Sequence, residues 1–421
     1  MEKQNRLIDS YGRIVSNCRM CKSDRLEKFL DLGFAPPSDA ILYPENLEEP
    51  ELMFPLHVCQ CKNCGLTQLG YAVNPELMYG YRYMYESSIT NIGKKHFFSM
   101  ASDICKRFNI PTGSLVVDIG SNVGVLLEGF KDQGMDVLGV DPAPRMCDIA
   151  NSRGIETIQD FVNPSVAEKI VFRKGKAQVV TGTNVFAHID DKKGLMQSLE
   201  TMLSEEGIFI VEAPYLGSLI KNLEYDTIYL EHLEYLSLKP VARFFDANGL
   251  DLFDVQKYDI HGKSLRYFGC KKGKKSISRN VKELLAQEET MGIYDSSVLK
   301  DFARRVEEHR YEMVNMLREI KKSGKRIAGI SAPAKGNTLL NYCKIGPELV
   351  EYITEKSLLK QGKYTPGMHI PIVKEERLYK DKPDYGLVLA WNFAEEIMAN
   401  SQEFKKAGGK FIIPIPNPII I

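Results

Sequence analysis

Apolar residues recur along this chain in two rhythms. Strand-length runs rich in β-branched residues include SLVVDIG, MDVLGVDP, AQVVTGTNVF, GIFIVEAP, YGLVLAW and KFIIPIP. Between them lie helix-length segments such as NIGKKHFFSMASDICKRFNI. Strands alternating with helix-sized spacers predict mostly parallel sheets, so the expected fold class is α/β. The rhythm runs once through about 76–295. It starts again in 296–421, where RIAGISAPAKGNTLLNYCK reads as strand, small-residue turn, helix. The two stretches share no convincing repeat. The charged segment DFARRVEEHRYEMVNMLREIKKSGK is expected to be a linking helix with a solvated face.

Residues 1–75 read differently. LGFAPPSDA and YPENLEEPE are turn signals, and the apolar content is thin for an independent core. Three units follow: 1–75, 76–295 and 296–421, in keeping with a length of 421 residues. One further pattern stands out. YDTIYLEHLEYLSL at 225–238 follows the strand GIFIVEAP. Read as an amphipathic helix, it puts Tyr229 and His232 on one face, with Glu231 pointing elsewhere.

Composition narrows the classes. The chain is 44% hydrophobic and 26% charged, as in soluble globular proteins. Lys+Arg and Asp+Glu both number 55, so nothing electrostatic calls for a nucleic acid or an anionic membrane. No run reaches the about 20 apolar residues of a spanning helix. MEKQNRLIDSYGRIV lacks the plan of a signal peptide, so a cytoplasmic protein is expected. The pattern leaves oligomeric state open and is compatible with a monomer.

Five of the nine cysteines precede residue 65. CRMC and CKNC are two C-x2-C knuckles, and Cys18, Cys21, Cys61 and Cys64 suit a tetrahedral zinc ion. Cys59 is too near Cys61 to serve the same ion. Four sulfur ligands leave no open position, so this zinc is expected to be structural. The competing reading is four free thiols.

DIGSNVG, after a strand and before a helix, is the informative turn. A dinucleotide pyrophosphate wants G-x-G-x-x-G. Here the glycines are spaced G-x-x-x-G, and Asp118 two residues earlier would repel phosphate. An acid there suits S-adenosylmethionine, which has a cationic amino-acid end and no phosphate. Gly120 and Gly124 allow close backbone approach. Asn122 lies between them. Asp141, 23 residues after Asp118, ends the next strand and is placed for a ribose. Asn184, after a later strand, is a pocket candidate, and Tyr81, Tyr83 and Ser88 are candidates to cap the cofactor. The alternative is a plain βα turn without this ligand, with the aromatic segment a mere seam.

The chain as a whole resembles the three-domain sugar C-methyltransferases that act on nucleotide-linked 4-keto-deoxyhexoses. The resemblance spans nearly the full length. It rests on CRMC with DLGFAPPSDAIL, FPLHVCQCKNCGLTQ, VVDIGSNVGVLL, NVFAHIDD, the 225–238 stretch, HGKSLRYF, KGNTLLNYC, KQGKYTPGMHIPI and AWNFAEEI. It implies a small zinc-binding N-terminal domain, a Rossmann-like methyltransferase domain, and a second Rossmann-like C-terminal domain that contributes to a nucleotide-diphosphate-sugar site.

Methylating carbon requires a base to remove a proton beside a ketone and a donor for the enolate oxygen. Histidine, with an ordinary pKa of about 6.5, is the natural base. The resemblance carries acid–base roles to Tyr229, Glu231, His232 and His188. His232 is the expected base, Tyr229 and His188 orient the sugar or donate to the enolate oxygen, and Glu231 sets position or tautomer. Family members often have histidine where this chain has Leu230. For substrate binding, Lys335 and Asn337 lie at the third unit's turn, and Glu355 ends a strand there. Arg266 either contacts a phosphate or closes a salt bridge. The bland reading makes His232 a satisfied core histidine. The rival functions are O-methylation of a sugar or other small molecule, and a non-catalytic zinc- and nucleotide-binding module.

Overall fold

The computed structural model describes residues 11–79, 91–258 and 263–421. The N-terminal part is built from β1 (Gly12–Ile14), β2 (Leu26–Ala35), β3 (Phe54–Cys61), β4 (Thr67–Leu69) and β5 (Tyr71–Val73). Its principal sheet is antiparallel through β2, β3 and β4.

The middle part holds β6 (Leu115–Ile119), β7 (Asp136–Asp141), β8 (Thr157–Gln159), β9 (Ala177–Thr183), β10 (Leu203–Pro214), β11 (Glu234–Tyr235), β12 (Leu250–Tyr258) and β13 (Ser264–Lys271). Seven of these form one sheet in the order β12-β13-β10-β9-β6-β7-β8. It is parallel from β10 to β8, and β13 runs antiparallel beside β10. All five residues of β6 are buried, because helices cover both faces of the sheet. The order reverses beside β6, so the carboxyl ends of β6, β7 and β9 open a crevice.

The C-terminal part repeats the plan. Its strands are β14 (Ile327–Ile330), β15 (Ile353–Glu355), β16 (Lys363–Tyr364), β17 (Pro371–Lys374), β18 (Tyr385–Val388), β19 (Lys410–Ile413) and β20 (Ile419–Ile420). They run in the order β16-β17-β15-β14-β18-β19-β20, with a parallel centre from β17 to β19. The chain is therefore α/β with two Rossmann-like sheets and a small N-terminal domain.

The 225–238 stretch is not the predicted helix. It makes a 3-10 turn at Tyr225–Thr227, runs irregularly, and enters β11, which pairs with β4 of the N-terminal sheet. Every residue from Leu223 to Leu238 is buried except Tyr229 and His232, which are half-buried. A helix buries one stripe, whereas this segment is packed on several sides. Tyr225, Ile228 and Leu230 share one core with Leu30 and Phe54 of the N-terminal part and with Phe302 and Ile353 of the C-terminal part. Leu230 is wholly enclosed there.

The charged segment also differs from expectation. The helix Ser296–Lys322 is not merely a solvated link. It buries Leu299, Phe302, Val306, His309, Met313, Leu317 and Ile320, an i, i+3/i+4 stripe hidden by the intervening charges. His309 bonds Tyr225 Oη through Nδ1 (3.0 Å) and the Pro414 carbonyl through Nε2 (2.6 Å), joining the central stretch to the third part.

Candidate active site

The turn after β6 is shaped for a ligand. Gly120 and Asn122 have positive φ (67° and 51°), as does Gly124 (81°). A Cβ on Gly120 would lie 2.5 Å from Val185 Cγ2, so only glycine lets the loop after β9 approach this turn. Asp118 is buried and accepts the Thr181 hydroxyl at 2.6 Å. Burial, opposed by that bond, raises its pKa to about 7. Asp141 accepts the backbone N–H groups of Asn122 (2.8 Å) and Ala143 (2.9 Å), and burial again raises its pKa. Asn184 sits at the end of β9 with φ 55°. Asp118, Gly120, Asn122, Gly124, Asp141 and Asn184 therefore all lie at the carboxyl-edge crevice. Tyr81, Tyr83 and Ser88 lie outside the described residues.

Just beyond Asn184, the loop carries His188. Its ring centroid is 5.0 Å from that of His232, whose ring is in turn 3.9 Å from Tyr229. Tyr229 and His232 thus meet without a helix, through a turn in which the His232 N–H donates to the Tyr229 carbonyl (2.9 Å). The Leu233 N–H donates to Ala187 O at 2.9 Å and binds the two histidine segments together. His232 Nδ1 lies 2.8 Å from the Thr227 carbonyl. A carbonyl only accepts, so Nδ1 carries the proton and the basic lone pair of the neutral ring is on Nε2. His188 Nδ1 is 3.1 Å from Tyr79 Oη. Burial, then the nearby His232 and Lys192, hold His188 well below the usual imidazole pKa. Its Nε2 is buried with no hydrogen-bond partner among the described residues.

Glu231 turns to the N-terminal domain instead. One carboxylate oxygen accepts the N–H groups of Ser38 (2.9 Å) and Asp39 (3.4 Å), and burial with the Asp39 charge raises its pKa to about 8. It ties the turn at 38–39 of the N-terminal domain to the segment that carries His232. Asn337 holds that turn from the other side, donating Nδ2 to the Ser38 carbonyl at 2.6 Å. Lys335 lies 4.0 Å above the Trp391 ring and bonds Asn392. Trp391 Nε1 donates to Asp226 at 2.6 Å. Burial pulls Lys335 down to about 8, raises Asp226 to about 6 and raises Glu224 to about 7. Glu355 accepts the N–H groups of Ala332 and Ser357, both at 2.8 Å. Asp141 binds the turn after β6 in the same manner, so the two acids hold matching positions in the two sheets.

Of the two readings of Arg266, the salt bridge is the one observed: with 1% of its side chain exposed, it pairs with Glu212 at 2.6 Å and donates to Tyr258 Oη at 2.9 Å. Glu212 also bonds His96 Nε2 at 2.6 Å. A guanidinium buried on β13 needs an internal counter-charge, and β10 supplies it directly opposite.

The sulfurs of Cys18, Cys21, Cys61 and Cys64 all lie within 4.8 Å of one another. Tetrahedral Zn–S bonds of about 2.3 Å demand sulfurs about 3.8 Å apart, so the set fits zinc. Cys59 is outside the cluster. Between the first two cysteines, Arg19 donates Nε to Asp190 at 2.9 Å and Nη1 to Leu69 O at 2.7 Å. Arg13 also bonds Asp190. Burial opposes it, but the two guanidiniums hold Asp190 below the usual carboxylate range. Lys192 and Glu234 form a buried pair at 2.9 Å beside it. The zinc knuckle thereby grips the His188 loop. Sequence reasoning missed Tyr79, Arg19, Asp190, Asp226 and Trp391, since none has a partner near it in the chain. Only the position of Arg19 inside a knuckle was a signal.

Three family models tile the chain: a zinc binding domain over 18–79, a methyltransferase domain over 95–255, and a C-methyltransferase C-terminal domain over 259–416. C-methyltransferase NovU of Streptomyces niveus is 37% identical over 410 residues, 97% of either chain. A ubiquinone biosynthesis O-methyltransferase of Actinobacillus pleuropneumoniae serotype 7 is 27% identical over 106 residues, 23% of this chain and 44% of the relative. Among solved structures, magnesium protoporphyrin IX methyltransferase (ChlM) of Synechocystis PCC 6803 aligns with TM-score 0.35 at 15% identity, over 45% of this chain and 90% of that one. Among the described residues no helix is long and apolar enough to cross a membrane. The chain belongs to the C-methyltransferase family built from a zinc-binding domain, an S-adenosylmethionine-dependent methyltransferase domain and a C-methyltransferase C-terminal domain.

Proposed function

We propose that this enzyme methylates the carbon beside the ketone of a nucleotide-linked 4-keto-deoxyhexose, with units near 1–75, 76–295 and 296–421 closing on that substrate. The pairing of His188 and His232 beside the glycine turn carries this reading. S-adenosylmethionine supplies an electrophilic methyl group on a sulfonium. Asp118 balances the cationic end and Asp141 accepts the ribose hydroxyls. His232 Nε2 removes the carbon-bound proton, and the electron pair of that bond moves toward the ketone. His188 donates a hydrogen bond to the enolate oxygen, and Tyr229 orients the ring. Lys335, between Trp391 and the acids of the central stretch, faces the diphosphate, and Glu355 takes the second ribose. The four-cysteine zinc has no open position and acts only on structure.

Resemblance favours a deoxythymidine diphosphate sugar and carbon 3, in the cytoplasm. The experiment is incubation with a panel of nucleotide-linked 4-keto-sugars and S-adenosylmethionine. A mass gain of about 14 daltons at carbon supports the reading. Gain at oxygen, or none across the panel, overturns it. Solvent deuterium entering the sugar carbon without cofactor would show the enolisation separately.

A further inference from the structure

We infer that Tyr79 is a positioning residue that sets the tautomer of His188, donating its hydroxyl proton to Nδ1 so that the ring offers an Nε2–H donor to the substrate. Tyr79 ends the helix Pro75–Tyr79, which leads out of the N-terminal domain. Its Oη is 3.1 Å from His188 Nδ1, and the two rings stack with centroids 6.1 Å apart and planes 19° off parallel.

A neutral imidazole has one donor nitrogen and one acceptor, and the partner of one nitrogen fixes the role of the other. His188 is neutral, for burial, then the nearby His232 and Lys192, oppose its protonation. Burial, then the nearby acids Glu231, Asp39 and Asp141, raises the Tyr79 phenol well above its ordinary pKa, so it keeps its proton. With the phenol as donor, Nδ1 accepts and the histidine proton is left on Nε2. That nitrogen is buried without a hydrogen-bond partner among the described residues.

His232 has the opposite arrangement, because the Thr227 carbonyl takes its Nδ1–H. The two rings, 5.0 Å apart, thus present a lone pair and an N–H through the same type of nitrogen. One removes the carbon-bound proton; the other hydrogen-bonds the oxygen that gains charge, with no proton passing to it. The alternative His188 tautomer would aim a lone pair at that oxygen and oppose its charge. The use of the donor rests on the keto-sugar reading; the tautomer does not.

Ring-nitrogen NMR on the full-length protein labelled with 15N-histidine tests the inference. The seven histidines are few enough to assign His188 by its loss in His188→Asn. In the wild type, His188 is expected to show a protonated Nε2 and a bare Nδ1. Tyr79→Phe keeps the stacked ring and removes the donor. It is expected to shift the His188 nitrogens toward the other tautomer and lower deuterium exchange about tenfold or more, with S-adenosylmethionine affinity unchanged. A wild-type His188 protonated on Nδ1, or nitrogen shifts unmoved by Tyr79→Phe, overturns it. If the tautomer changes as expected while no 4-keto-sugar is methylated, the Tyr79 inference stands and the substrate reading fails.

Discussion

His188 and His232 face each other with ring centroids 5.0 Å apart, and only His232 has its Nδ1 against a backbone carbonyl. Two imidazolium ions that close would repel, and His232 accordingly depresses the pKa of His188. In the proposed reaction His232 is therefore the member that takes the proton.

His232→Asn removes that acceptor and leaves the glycine turn untouched. Turnover and cofactor-independent deuterium exchange should both fall by about a hundredfold or more, the scale of general-base catalysis. Calorimetry should find S-adenosylmethionine binding retained. Exchange at the wild-type rate in the variant would assign the base elsewhere.

Asp118 gives the cofactor site a pH signature. Its pKa, raised to about 7, means that much of it is protonated at neutral pH before the ligand binds. A cationic ligand favours the ionised form and expels the proton. Affinity for S-adenosylmethionine should weaken as pH falls through about 7, and calorimetry in buffers of different ionisation heat should report proton release. Asp118→Asn should lose that dependence.

Glu231 links pH to stability. Its folded pKa of about 8 lies above the ordinary 4.5, so the folded state holds the proton more tightly. That contribution is complete below about 4.5 and is lost as pH rises through about 8. Glu231→Gln does not titrate. Its melting temperature relative to the wild type should climb between these limits, and a constant difference would contradict the assignment.

Arg19 separates the metal from its message. Arg19→Met keeps all four cysteines, so zinc content by elemental analysis should match the wild type. The His188 loop loses its tie through Asp190. Turnover should fall about tenfold or more, since small misplacements of reacting groups are costly. Chelating the zinc should have a larger effect and also lower the melting temperature.

Arg266→Met should destabilise the protein by about 3 kcal/mol or more, because among the described residues Glu212 is left buried with only His96 as a side-chain partner. Denaturant melts measure this. A variant as stable as the wild type, with a raised KM for substrate, would return Arg266 to the binding site.

What the sequence determined by itself were features whose causes are local. Strand, glycine turn and helix around Asp118, the acid ending the next strand, and the two cysteine knuckles depend on residues a few positions apart. Resemblance then named the acid–base residues. Tertiary structure alone decided the shape of 225–238, which looked helical by period but is held open by burial on several sides and by pairing of Glu234 and Tyr235 with Gln68 and Thr67. It decided that Arg266 meets Glu212, that Glu231 anchors Ser38 and Asp39, and which nitrogen of His232 is basic. A side chain's proton and charge are set by whatever folding brings against it, and here those partners come from all three parts of the chain.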